Sequence, residues 1–168
     1  EEQRELVEAR ADLQATMGFL GAIAAGLEEA VGPTANKVAY LAGKKLGRRL
    51  SGDATRTSDL QQALASVREV LAHNDCVWLF EGFRPKSRAA LIETDEDGDN
   101  IMLVFRDCMI RQSLFMFGHE QRGSLCTMMY GFFAGALEQI MGCESRLEIV
   151  HAGENACYKR LHVNRNQS

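Results

Sequence analysis

The residues best equipped for chemistry lie near the C-terminal end, in "SRLEIVHAGENACYKRLHV" (145–163). Alternation along two strands puts Leu147, Ile149 and His151 on one face, and Cys157, Leu161 and Val163 on one face of the next. A five-residue connection around Gly153 makes His151 and Cys157 expected cross-strand neighbours. Directly paired residues on one face have Cβ atoms about 5 Å apart. An imidazole and a thiolate at that separation suit zinc or another borderline-soft metal, and a closed structural site normally takes four protein ligands. Cys126, Cys108 and Glu148 are the candidates for the rest, with Glu148 on the opposite face from His151 by strict alternation.

A second candidate is the segment "SLCTMMYGFFAGALEQIMG" (124–142), which reads as a helix over 125–141. It carries Gly131 and Gly135 on one stripe, although a glycine in a helix interior costs roughly 1 kcal/mol against alanine. Cys126, Tyr130, Phe133 and Leu137 form a second stripe beside the first. One reading is close helix–sheet packing with a core-facing thiol. The other is the wall of an apolar cavity with one or two polar handles, the usual lining of a small-molecule pocket. The cavity reading nominates Trp78, Phe80, Tyr130, Gly131, Phe132, Phe133 and Gly135 as ligand-lining residues.

Those residues need elements to hold them. Apolar residues at Leu6, Leu13, Met17, Leu20, Ile23 and Leu27 predict a first helix ending at "VGPT", where Gly32 closes it and Pro33 opens the next. The second helix, roughly 33–50, gathers Lys44, Lys45, Arg48 and Arg49 in its last two turns. That cluster suits a solvated helix C-terminus or contact with an acidic partner or membrane surface. Ser58 and Gln61 stand at capping-box spacing before a third helix, which "HND" (73–75) ends. The runs 76–83, 88–94 and 100–106 predict an antiparallel meander, with "RPKS" and "DEDGD" as turns. The acidic turn lacks the glycine and glutamate of a calcium loop. Ser124 is expected to cap the glycine-bearing helix, and strands at about 145–151 and 157–163 complete the chain. Helices followed by strands, with one helix returning, indicate an α+β domain whose helices cover an antiparallel sheet.

The 168 residues are expected to form one domain, with a helical extension over 1–17, a core over 18–163 and a tail over 164–168. A net charge of −4 argues against nucleic-acid binding by general electrostatic attraction. No apolar run is long enough to span a membrane, and no signal peptide is visible. Five cysteines without a regular framework favour free thiols and a reducing cytoplasm. There is no Ser-His-Asp arrangement, and "AGKKLGRRL" lacks phosphate-loop spacing.

"VGPTANKVAYLAGKKLGRRL", "GSLCTMMYGFFAGALEQIMG" and the turn "GENAC" together resemble the vinyl-4-reductase domain family of hydrocarbon-binding proteins. The resemblance covers about 18–163. It implies an α+β fold similar to vesicle-tethering transport-particle subunits, and a small-molecule-binding or sensory role in a domain that is often a homodimer. Some members bind zinc through a cysteine before the glycine helix, an acidic residue and two cysteines around the final turn. Cys126 and Cys157 match the first and last of these, and Glu148 loosely matches the acidic residue. Ile149 stands where the third cysteine is expected, with His151 the nearest replacement and Cys108 a further candidate.

The leading expectation is therefore a non-catalytic binding module for a hydrophobic or tetrapyrrole-like ligand. It would act as a carrier, assembly factor or scaffold, with bacterial pigment or photosystem biogenesis as a setting by family analogy alone. A reductase or tetrapyrrole-modifying enzyme, with His151 or His119 as proton donor, is the alternative, although no nicotinamide or flavin motif is present. A third reading is a dimeric protein-interaction scaffold whose cavity is filled by its own side chains.

Overall fold

The structure is a computed structural model that describes residues 2–74, 78–106, 108, 110–111, 122–153 and 155–165. Among the described residues the elements follow in the order α1 (Glu2–Val31), α2 (Thr34–Leu50), α3 (Leu60–His73), β1 (Leu79–Phe83), β2 (Ile92–Thr94), β3 (Gly98–Arg106), α4 (Ser124–Met141), β4 (Ser145–Ala152) and β5 (Ala156–Asn164). The strands form one antiparallel sheet in the order β1-β3-β5-β4, so the domain is α+β as expected. Among the described residues no helix is long and apolar enough to cross a membrane.

β3 is the spine of the sheet. β5 lines its whole length on one edge, from Gly98 opposite Asn164 to Arg106 opposite Ala156. Two short strands share the other edge: β1 pairs with Met102–Arg106 and β2 with Asp99–Ile101. The expected meander is therefore corrected, since β1 and β2 lie end to end along β3. β3 can serve three neighbours because its nine residues are long enough for two short strands to pair along one edge. Ile101, Leu103 and Phe105 face the helices, and all three are buried. The acidic turn closes β2 onto β3 through its own side chain, because the Asp95 carboxylate accepts from the backbone N–H of Asp97 and Gly98. Past β5 the chain is tied down: Arg165 donates to the fully buried carboxylate of Asp99, which also accepts from Thr94 Oγ1 at 2.6 Å.

Two helix starts differ by one residue or one partner from expectation. α3 is capped by Asp59, whose side chain accepts from the N–H of Gln62 at 2.8 Å. Ser58 lies one position too early. Ser124 opens α4 but does not cap it. Its N–H and hydroxyl both donate to the Glu28 carboxylate of α1, at 2.7 and 2.6 Å. A carboxylate at a helix N-terminus also meets the positive end of the helix dipole, so the C-terminal end of α1 is pinned to the start of α4.

The glycines of α4 face α2. A Cβ on Gly131 would strike the carbonyl oxygen of Tyr40, and one on Gly135 that of Lys44. Reciprocally, Gly43 and Gly47 of α2 abut the carbonyl oxygens of Met128 and Phe132. All four would bring a Cβ closer than the 3.0 Å that real Cβ atoms essentially never undercut, and the obstacle is backbone each time. Two four-residue glycine notches thus interlock, with glycine Cα–H groups directed at carbonyl oxygens, a contact of second-order strength. The partner brought close by the glycines is the backbone of a helix, where the sequence suggested close helix–sheet packing or a cavity wall.

Glu138 marks the edge of this crossing. Its carboxylate bonds Lys44 Nζ at 2.9 Å and the Arg48 guanidinium. Half of the basic cluster on α2 is thereby paired within the domain, and Lys45 and Arg49 remain exposed. Burial pulls the Glu138 carboxyl upward, but the hydrogen bonds from Lys44 and Arg48 outweigh it and hold its pKa below the usual carboxylate value. A depressed folded pKa contributes stability that is present above the unfolded value and lost as pH falls through the folded one. Glu138→Gln is expected to cost about 0.2–1 kcal/mol at pH 7. It should also flatten the acid limb of a thermal-midpoint profile run from neutral pH downward; an unchanged acid limb would show the pairs to be incidental.

Candidate functional site

β5 runs "ACYKRLHVN", and its alternation sends Cys157, Lys159, Leu161 and Val163 toward the helices. Lys159 is therefore a cation on a core face, 2 % exposed. Register places it between Leu103 of β3 and Ile149 of β4, both apolar. Its Nζ lies 4.8 Å from the ring centroids of both Phe105 and Tyr130, and donates to the Met129 sulfur at 3.2 Å. Two aromatic faces and a thioether are weak substitutes for the carboxylate that usually accompanies a buried charge.

Three thiols stand within electrostatic range of this lysine: Cys126 from α4, Cys108 after β3, and Cys157 two positions before it on β5. All three are free. Burial raises the pKa values of Cys108 and Cys126, only partly countered by Lys159 and by backbone hydrogen bonds, so both thiols stay protonated. Burial likewise lowers the pKa of Lys159, the neighbouring cysteines opposing the shift. The Tyr130 hydroxyl is buried without a hydrogen-bond partner among the described residues, and burial pushes its pKa well above the ordinary phenol range. A small polar cluster of amine, phenol and thiols is thus embedded in apolar surroundings.

Its other boundary is aromatic. Phe105 stacks on Phe80 at 5.5 Å and meets Phe133 edge-on at 5.5 Å. Phe80 contacts Phe133 at 5.1 Å, Phe133 contacts Phe132 at 6.1 Å, and Phe132 contacts Trp78 at 5.5 Å. Such centroid separations are those of rings in direct contact. Lys159 sits at the junction, its Nζ against both the Phe105 ring of that cluster and the Tyr130 ring.

The structure thus assembles Trp78, Phe80, Phe132 and Phe133 as one aromatic cluster, and brings Tyr130 against Lys159. Gly131 and Gly135 are corrected: their open side is filled by the backbone of α2, which leaves no room for a ligand there. The proposed metal ligands divide. Cys108, Cys126 and Cys157 collect around Lys159, while His151 lies on the outer face, exposed and paired with Tyr158. The cause is a β-bulge between Ile149 and His151, where Val150 adds a residue and reverses the alternation. Ala152 consequently opposes Cys157, and Glu148 shares the outer face with His151.

The metal reading is corrected with it. Among the described residues no group of three or more His, Cys, Asp or Glu side chains could hold a metal ion. The thiols present gather instead around a lysine amine, a neighbour that opposes metal binding when protonated. Outward exposure also removes His151 from any interior proton transfer, and His119 lies outside the described residues. Lys159 itself was within reach of sequence reasoning, because Cys157, Leu161 and Val163 already defined the buried face and Lys159 falls on it.

No protein-family model matches the sequence, and no curated protein matches it. Among solved structures, the chain is similar to the phenol-responsive sensory domain of the transcription activator PoxR, determined with phenol, at a TM-score of 0.64 and 18 % identity. The similarity covers 90 % of this chain and 76 % of that one. At that identity the likeness establishes the fold: an α+β arrangement shared with a small-molecule sensory domain.

Proposed function

We propose that this chain is a non-catalytic receptor module for a small aromatic molecule bearing one oxygen substituent. The ring packs at the edge of the Phe105–Phe133 cluster, and the oxygen accepts from Lys159 and Tyr130. The observation behind this reading is a buried amine with no carboxylate beside it among the described residues, next to a buried hydroxyl with no partner among them. A core selected only for stability has no use for either, because an unsatisfied buried polar group costs about 1–3 kcal/mol. Ligand sites, by contrast, combine apolar walls with a few convergent polar groups.

The fold shared with a domain solved with phenol supports the size class of the ligand. So does the packing, since ring centroids 5.1–6.1 Å apart already fill the space beside α4. A single ring needs a far smaller displacement of these side chains than a tetrapyrrole, which would require the cluster to come apart. The hydrocarbon-binding resemblance of the sequence agrees with an apolar ligand. On this reading the module senses or carries its ligand and leaves it unchanged.

Trp78, in contact with Phe132, supplies the test. Titration with phenol is expected to change its fluorescence saturably, and native mass spectrometry of the mixture should show one phenol per chain. A linear, non-saturating response together with no adduct would rule the reading out.

A further inference from the structure

An amine held among apolar groups is a nucleophile as well as a hydrogen-bond donor. Lys159 is 2 % exposed, and its Nζ meets the Phe105 and Tyr130 rings at 4.8 Å each and the Met129 sulfur at 3.2 Å. Ring faces and a thioether accept a hydrogen and give none. Among the described residues nothing is therefore hydrogen-bonded to the nitrogen lone pair once the amine is unprotonated. Lysines desolvated in apolar surroundings are the ones that form Schiff bases with carbonyl compounds.

The competing nucleophiles are placed differently. Of the other lysines, Lys37, Lys45 and Lys86 are exposed, and Lys44 is tied to Glu138 at 2.9 Å. Burial lowers the pKa of Lys159, so at neutral pH more of it is unprotonated than of a surface lysine. Burial also keeps the Cys108 and Cys126 thiols protonated, whereas the thiolate is the reactive form.

We propose that Lys159 captures aromatic aldehydes as a reversible imine, which makes an aryl aldehyde the covalent ligand class of this site. The inference rests on the receptor reading above, since the ring must enter beside Phe105 and Tyr130 as a phenol would. The Nζ lone pair adds to the carbonyl carbon, and the carbonyl oxygen takes one of the two amine protons to give a carbinolamine. That hydroxyl departs as water with the second amine proton, and the C=N bond forms. One amine and one aldehyde give one imine and one water, without an oxidant, a reductant or a metal. Tyr130 carries a buried hydroxyl with no partner among the described residues, on the side chain whose ring meets Nζ. It supplies a donor for the oxygen on which charge develops. The surroundings then favour the imine. Hydrolysis consumes a water, which a core position excludes, and a neutral aryl imine removes the ammonium whose burial is costly. Hydrolysis, when it comes, returns the ligand unchanged.

Benzaldehyde tests this on the full native chain. Native mass spectrometry should show one benzaldehyde per chain less one water, a deficit that a non-covalent complex lacks. Borohydride added together with urea fixes the imine as a benzyl amine, and leaves any thiol adduct to revert. Peptide mapping should place the benzyl group on Lys159 in about tenfold excess over each other lysine, the value of one pKa unit. Protein denatured before the aldehyde is added should label its lysines alike. Phenol should slow the capture, and Lys159→Met should lose it while unfolding cooperatively. A saturable Trp78 response to phenol with no preferred adduct on Lys159 would overturn the imine and leave the receptor reading standing. Absence of both would overturn the two together, and an adduct on Lys159 that phenol does not slow would overturn the shared site.

Discussion

Gly131→Ala is expected to lower the unfolding free energy by about 1–3 kcal/mol, although alanine is the better helix former. The added methyl must displace backbone, since it would overlap the Tyr40 carbonyl oxygen and lie 3.0 Å from the Lys44 nitrogen. A flexible side chain could swing away, but a carbonyl held inside a helix moves only if the whole helix moves. Separating α2 from α4 would loosen the two interlocked notches together, so Gly43→Ala should cost a similar amount. The two changes should also be non-additive, because they strain one crossing.

Gly26 provides the contrasting case. It lies mid-helix in α1, is exposed, and has no atom within 4 Å of a built Cβ. Gly26→Ala should therefore raise stability by up to about 1 kcal/mol through helix propensity. Urea midpoints of the three variants decide the matter. If Gly131→Ala stabilised the protein as Gly26→Ala does, the interlocked crossing would be wrong.

The second large effect is expected at Lys159. Lys159→Met is isosteric enough to fill the same space against Phe105 and Tyr130 and removes the cost of burying a cation. Replacing buried charged groups by apolar ones of similar volume is often stabilising by about 1–4 kcal/mol, and a gain in that range is expected here. The pH dependence gives the sign a second check. A lysine whose folded pKa is depressed is most costly where it is charged in both states. As pH rises through the folded pKa toward the unfolded value near 10.4, the unfolded chain holds more protons and the wild type gains stability. The advantage of Lys159→Met should accordingly shrink as pH rises toward 10. A variant less stable than wild type at neutral pH would mean that the thiols and rings satisfy the lysine fully.

A residue that weakens the fold and persists at its centre is the kind of compromise found where stability is traded for a site. The parts of this site differed in how far the sequence disclosed them. Helical periodicity was sufficient for α1 to α4, and Gly32 and Pro33 marked the first boundary within a residue. The stripe Cys126, Tyr130, Phe133 and Leu137 does face the sheet, because a 3.6-residue period leaves little freedom.

Long-range pairings were less visible. Nothing local says that Gly43 and Gly47 lie opposite Gly131 and Gly135, although the matching four-residue spacing was there to be compared. Nor does local alternation foresee the added residue at Val150, which turned His151 outward and dissolved the expected pairing with Cys157. A bulge shifts parity by one, and every inference drawn from parity beyond it reverses. The shared edge of β3 escaped notice for a related reason: strand propensity shows that a segment is extended without naming its neighbour.

The most direct measurement is the affinity of the protein for phenol against toluene, which share a ring and differ in one polar group, determined by calorimetry for wild type and for Lys159→Met. The wild type should favour phenol by about 10–100-fold, the value of a hydrogen bond to a charged or strongly polar donor in a buried setting, and the variant should bind the two nearly alike. Equal affinities in the wild type, or a preference for phenol that survives in Lys159→Met and in Tyr130→Phe, would contradict the assignment of this amine and phenol as the polar end of a binding site.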